Sequence, residues 1–225
     1  MTFLELQTEL NNRIAAAKVS GFWSADMKKQ WINNAGERVS NYYRWKALEC
    51  VFKTITKKDQ EYYDYPDQEN SPNEFQENSI YYMEIDGKIY DKRTWEEYQK
   101  VKKAGGDDKI FCSYDGLYFV NPTPDKNNIE IAVWGIRKWI KLVNNTDNPI
   151  TPSELDEPII KLALATCLQK ERRYSEASAE IVEVEAPRDS KVPGSGGLLA
   201  RLAAREEDEG PKGYIGRAKS TRWMK

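Results

Sequence analysis

Residues 80–120, IYYMEIDGKIYDKRTWEEYQKVKKAGGDDKIFCSYDGLYFV, contain the same turn signal twice, at Asp86-Gly87 and at Asp115-Gly116. Asp-Gly supplies the positive φ angles that a two-residue hairpin turn requires. Runs of β-branched and aromatic residues flank both dipeptides, as in strands. These runs are Ile80–Ile85, Lys88–Tyr90, Ile110–Tyr114 and Leu117–Val120. The stretch therefore predicts two β-hairpins.

The sequence around these hairpins extends the β-rich region in both directions. Thr94 and Glu97 form a capping box that predicts a short helix ending by Gly105-Gly106. On the N-terminal side, a strand is predicted at residues 50–56, and a polar turn leads to a second short strand ending at Tyr65-Pro66. On the C-terminal side, a last strand is predicted from Ile129 to about Ile140.

Helical patterns lie outside this region. Thr2 and Glu5 form a capping box, and the apolar spacing after them predicts a helix to about Val19. Ser24 is a good N-cap for a second helix. The apolar stripe of that helix would consist of Met27, Trp31, Ala35, Val39 and Tyr42.

A closing helix is predicted over Ile159–Ala179, capped by Thr151 or Asp156. Its apolar face would include Ile160, Leu164, Cys167 and Tyr174. The fold class predicted from these patterns is α+β. It combines a small helical bundle (1–46 and 152–186), a β-rich insertion (47–151) and an extended C-terminal tail (187–225).

Composition argues against several kinds of active site. The chain has no histidine, which removes the commonest general base and most zinc chemistry. Its three cysteines form no CxxC pair and are expected to be small core residues. Trp31, Trp45, Trp134 and Trp139 are expected in the core or at a subunit interface. We predict no catalytic residue, no metal and no cofactor.

Charge is distributed unevenly along the chain. Residues 187–225 hold nine Lys/Arg and five Asp/Glu, so this tail carries +4 of a total charge of −2 and residues 1–186 carry −6. Glycine and proline punctuate the tail, although a short helix is predicted at 198–208. Because so short a segment builds no core of its own, we expect another protein to cover its leucines and aromatics.

The order of motifs resembles the phage head–tail adaptor family over about residues 2–182. Trp31-Ile32-Asn33-Asn34-Ala35 is similar to the family's W-I-N-x-A, and a strand pair closes on Tyr63–Pro66, where Tyr65 replaces the leucine of Y-x-L-P. Tyr114–Leu117 leads to Phe119–Pro124, like an aromatic segment followed by P-x-P. Leu162–Ala165 matches the alanine-rich closing helix.

This resemblance implies a virion structural protein that forms a homo-oligomeric ring, typically twelvefold, beneath the portal. Such a ring joins the capsid vertex to the tail and lines the DNA channel. The implied partners are the portal, a tail or tail-completion protein, further copies of the chain and passing genomic DNA without sequence specificity. We expect no membrane contact, synthesis in the host cytoplasm and a final place in the virion neck.

In such rings the C-terminal segment commonly embraces the portal, which suits the tail described above. The hypothetical portal-docking residues are Leu198, Leu199, Leu202, Tyr214, Ile215, Arg217, Arg222 and Trp223. The acidic body suits a channel lining, because a surface that repels phosphate lets DNA slide.

Two alternatives from other classes remain. Pro66-Asp67 followed by Asp86-Gly87-Lys88 formally matches the pattern of metal-dependent nucleases, although both segments also fit ordinary turns. The cations of residues 212–225 also fit phosphate contacts, as in a nucleic-acid-binding regulatory protein. The acidic run Glu206–Glu209 is interpreted as a solvated patch.

Overall fold

The computed structural model describes residues 1–19, 21–66, 74–189 and 195–209, with side chains to Glu207 in the last range. The helices are α1 (Phe3–Ala16), α2 (Ala25–Ser40), α3 (Trp95–Lys103), α4 (Asp156–Lys170), α5 (Tyr174–Glu185) and α6 (Leu198–Glu209). Short 3₁₀ turns cover Lys46–Leu48 and Ser153–Leu155. The strands are β1 (Glu49–Ile55), β2 (Tyr62–Asp64), β3 (Tyr82–Ile85), β4 (Lys88–Lys92), β5 (Ile110–Tyr114), β6 (Leu117–Asn121) and β7 (Glu130–Ile136). The α+β class is confirmed.

Both Asp-Gly hairpins are present. Ile85 pairs with Lys88 across the first turn and Tyr114 with Leu117 across the second. Both turn residues have positive φ in each case, 54° and 67° at Asp86-Gly87 and 51° and 72° at Asp115-Gly116. Two adjacent positive φ values define the turn type that matches the twist of the flanking strands, so local chemistry fixes the register of both hairpins.

The sheet order is β1-β7-β3-β4-β5-β6-β2. The pairs are antiparallel except for β4 with β5, which α3 connects as a crossover. A parallel pair needs such a connection because the chain must return to the same end of the sheet. The predicted pairing of the first two strands is wrong, since β1 and β2 lie at opposite edges.

The helical segments differ from expectation in three places. The first helix ends at Ala16, before Val19, and the single closing helix is two helices, α4 and α5. Neither Thr151 nor Asp156 caps α4, whose N-cap is Leu155 without a side-chain hydrogen bond. The Asp156 carboxylate instead accepts a 2.7 Å hydrogen bond from the N-terminal amine. Tyr174 does not join the apolar face of α4, because it lies beyond the break and is exposed.

Two main cores form. One is helical and includes three of the four tryptophans expected in a core or an interface, Trp31, Trp45 and Trp139. The other lies within the sheet, around Phe111, Tyr118 and Val133. Trp134 is half-buried, on the sheet. Cys112 and Cys167 are buried as expected, whereas Cys50 is half-buried.

Candidate assembly surfaces

A buried amide on α2 joins the helices to the segment that leaves the sheet. The Asn33 carboxamide oxygen accepts hydrogen bonds from Leu142 N (2.7 Å) and Trp139 Nε1 (3.3 Å). Its Nδ2 donates to Leu142 O and Lys29 O, both at 3.0 Å. One turn later, a Cβ on Gly36 would lie 2.2 Å from the Trp139 ring, so only glycine leaves room for that ring. The motif at 31–36 thus fixes the path of residues 138–143.

That path creates a groove of about 1050 Å³ between α2 and residues 138–143. Its lining includes three acids (Asp26, Glu37, Glu74) and three lysines (Lys29, Lys138, Lys141). Lys138 and Glu74 pair at 2.6 Å. Ile140 and Val143 in the same lining are more than half exposed. Balanced charge with exposed apolar side chains suits a protein partner better than a phosphate or a free cation.

A second exposed surface, here called the aromatic ridge, consists of Tyr62, Trp95, Tyr114 and Phe119. Trp95 stacks on Tyr114 with ring centroids 4.4 Å apart and planes 9° apart, and Phe119 lies 4.9 Å from Trp95. Tyr62 continues the row 5.9 Å from Phe119. Tyr62 and Tyr114 are 52% and 49% exposed. Half-exposed aromatic rings are enriched at protein–protein interfaces.

The third feature is α6, which packs against the body of its own chain. Leu199 is fully buried within the helical core, and Leu198 and Leu202 pack against that core. A Cβ on Gly197 would lie 2.4 Å from Val184 O, so glycine permits the close entry of α6 beside α5. The predicted helix at 198–208 is therefore present. The expectation that another protein must cover its leucines is wrong.

The end of α6 is held against the turn before β1. Lys46 N donates to Glu206 Oε2 (3.1 Å), and Lys46 Nζ donates to Glu206 O (2.9 Å). Burial, together with the nearby carboxylates of Glu207 and Glu206, raises the pKa of Tyr43 to about 12. Interpreting the acidic run as a solvated patch is therefore wrong for Glu206, which is engaged with the body.

Comparison with known families identifies the class of protein that carries these surfaces. A family model described as SU10 adaptor protein matches residues 1–187. The chain belongs to the SU10 adaptor protein family. Comparison with curated proteins gave no match. Since this is a phage head-to-tail adaptor family, the chain is a structural component of a phage virion that acts among head and tail proteins.

The family match covers α1–α5 and the whole sheet of this adaptor and ends before α6. Of the eight hypothetical portal-docking residues, the structure places Leu198, Leu199 and Leu202 together on α6, facing the adaptor's own body. Tyr214, Ile215, Arg217, Arg222 and Trp223 lie outside the described residues.

The nuclease-like residues of this adaptor are only partly described. Asp86 lies in the β3–β4 turn and Lys88 begins β4, as a hairpin requires, while Asp67 lies outside the described residues. Among the described residues, no group of three or more His, Cys, Asp or Glu side chains could hold a metal ion. In the same part of the chain, no helix combines the length and apolar composition needed to cross a bilayer.

The motif at Trp31–Ala35 carries part of the family resemblance, but no role was predicted for Asn33, and the aromatic ridge was not predicted. The sequence signal for Asn33 was its position one turn before Gly36 on the same helix face, but the sequence alone did not show whether Asn33 or the exposed Asn34 is the buried amide. The ridge had no such signal. Its four members come from α3, β2, β5 and β6, and only the sheet order brings them together.

Proposed function

We propose that this adaptor assembles into a homo-oligomeric ring, with twelve copies, beneath the portal in the phage neck. The ring joins the capsid vertex to a tail or tail-completion protein and surrounds the passing genomic DNA without reading its sequence. The proposal rests mainly on the family match over residues 1–187, which spans both the helical core and the sheet. The adaptor acts through geometry and assembly, without catalysis.

The exposed surfaces support this proposal. The groove beside α2 and the aromatic ridge differ in shape and composition, and they are built by different elements. Unlike patches on one subunit suit heterologous, head-to-tail contacts, which close into a ring when the rotation permits. The −6 charge of residues 1–186 suits a channel that repels the phosphates of DNA.

Portal attachment is proposed for the end of the chain. Because Leu198, Leu199 and Leu202 pack on the adaptor's own body, we assign docking to Tyr214, Ile215, Arg217, Arg222 and Trp223. Aromatic and arginine side chains are the types that contribute most to protein interfaces. Arginines in this segment would face an acidic portal surface.

Co-expression with the portal of the same phage tests the proposal. We expect the adaptor to co-purify with the portal and electron microscopy to show an added twelvefold ring. Replacing Arg217, Arg222 and Trp223 with alanine should abolish co-purification. The control Lys100→Ala/Lys103→Ala, which removes two exposed cations from α3, should retain it.

A failure to bind the portal, or equal binding by both variants, would contradict this assignment. Mg²⁺-dependent plasmid cleavage that disappears in Asp86→Ala would instead support the nuclease alternative. Tight duplex binding at physiological salt through residues 212–225 would support the regulatory alternative.

A further inference from the structure

Strand β1 leaves one side of its backbone unpaired. At its two ends, Arg137 N donates to Leu48 O and Thr56 N donates to Ile129 O, both at 2.8 Å. Bonded and non-bonded pairs alternate along an antiparallel ladder, so the even-numbered residues of β1 bond to β7. The N–H and C=O groups of Val51, Lys53 and Ile55 therefore point away from the sheet. No described residue pairs with this open edge.

The open edge is long and weakly protected. Val51 and Ile55 are 41% and 51% exposed. The charged residues of β1 are Glu49, at its first position, and Lys53, between Val51 and Ile55. β1 contains no proline, and its register with β7 is continuous over seven residues, without a bulge. β2, at the opposite edge, has only three residues. Edges of this kind normally pair with another strand unless charge, proline or a covering segment prevents it.

The chain itself supplies a segment at this place. Glu206, in the last turn of α6, is bonded to Lys46, which lies three residues before the start of β1. Sixteen residues follow α6, and at ~3.3 Å per residue they reach up to ~53 Å, while the seven residues of β1 span about 23 Å. The segment 210–225 therefore starts close to the edge and is long enough to follow it.

The chemistry of the segment also fits. It has five cations and no acid. At the two ends of the edge, Glu49 pairs with Arg44 and Glu130 with Lys53, both at 2.9 Å, and these carboxylates, 35% and 60% exposed, have oxygen lone pairs left to accept a second cation. Tyr214 and Ile215 have the high strand propensity that suits a neighbour of Val51 and Ile55.

We propose that residues 210–225 add to β1 of their own chain as an extra strand, which covers the open edge in the free subunit. This inference concerns the subunit before assembly and does not require the portal. If the same segment also docks on the portal, it must first leave β1.

Amide hydrogen exchange of the free full-length chain, followed by NMR, tests this proposal. We expect the outward amides of Val51, Lys53 and Ile55 to be protected like the inward amides of Phe52 and Thr54. The variant Ile215→Pro/Ala218→Pro/Thr221→Pro removes backbone donors from the segment. In this variant the outward amides should exchange on the order of 100-fold faster, while the inward amides are unchanged.

The matched control is Ile215→Val/Ala218→Val/Thr221→Val, which keeps every donor and should keep the protection. Outward amides that exchange freely in the full-length chain would overturn the proposal. Protection that survives the proline variant would also overturn it, because something else would then cover the edge. Protection that falls on dilution, together with a change in mass, would assign the occupant to a second copy and refute pairing within one chain.

Discussion

Asn33 is a buried amide whose side chain bonds to two segments, its own helix α2 at Lys29 and residues 138–143 at Trp139 and Leu142. It bonds both backbone groups of Leu142 as well as Trp139 Nε1, so it takes the place of a strand partner for a segment that has left the sheet. Such a residue carries a large share of local stability, because each of its partners becomes an unpaired buried group when it is removed.

Asn33→Ala should therefore lower the free energy of unfolding by about 2–4 kcal/mol, since it leaves three polar groups of Trp139 and Leu142 without partners. Urea denaturation measures the change, with an unaltered m value as the sign of an intact fold. The control is Asn34→Ala, an exposed position on the same helix, which should change stability by less than about 0.5 kcal/mol. Equal effects of the two substitutions would contradict the role given to Asn33.

At the scale of elements, three helices end in the same way but only one end was predictable. In α1, α3 and α4 the residue after the C-cap has positive φ, at Lys18 (51°), Gly105 (66°) and Arg172 (63°). In α4, Arg172 N donates to Gln169 O (3.0 Å) and Arg173 N to Leu168 O (2.9 Å), the pair of bonds that defines a Schellman motif. The glycine at position 105 indicates the end of α3 in the sequence. Lysine and arginine rarely adopt positive φ, so Lys18 and Arg172 gave no sequence signal for the ends of α1 and α4.

Arg172→Gly should raise the free energy of unfolding by about 0.5–1 kcal/mol, because glycine adopts positive φ without the steric cost that a Cβ brings. Arg172 is exposed, so little packing is lost. Thermal and urea denaturation give the measurement, and Arg172→Ala, which keeps the Cβ, should change stability by less than about 0.5 kcal/mol. Destabilisation by glycine would show that the arginine side chain itself holds the break between α4 and α5.

The arrangement of strands was harder to predict than the strands themselves. Residues close in sequence usually pair, and β1 and β2 are separated by only six residues. Yet β1 bonds to β7 and β2 to β6, so sequence neighbours lie at opposite edges of the sheet. Period and propensity mark a strand but carry no information about its partner, which long-range packing selects.

On the scale of the whole molecule, α6 extends the helical core beyond the part that the family match covers. Leu199, Ala200 and Ala203 are buried on the body, although the match ends at residue 187. The helical core of this adaptor therefore includes a helix that lies outside the matched residues. The domain boundary predicted at 186–187 remains a prediction. It can be tested because α6, which lies beyond that boundary, packs on the helical core.

A chain ending after Glu209 should be more stable than one ending after Ala186 by at least about 2 kcal/mol, the cost of exposing one buried leucine and the surface beneath it. Urea denaturation of the two truncated chains gives the comparison. Leu199→Ser in the chain that ends at Glu209 should lower its stability by most of this difference, while Arg201→Ser, at an exposed position on α6, should change it little. Equal stability of the two truncated chains would mean that α6 contributes nothing to the body.

The sequence by itself determined the α+β class, both Asp-Gly hairpins, two capping boxes and the existence of α6, because turn chemistry, capping and periodicity act over a few residues. It also carried the motif order that pointed to a phage adaptor. Only the tertiary structure decided the sheet order, the role of Asn33, the aromatic ridge and the cover over the leucines of α6. Each of these depends on contacts between residues far apart in the chain, and local patterns do not encode which distant surface an apolar side chain will meet.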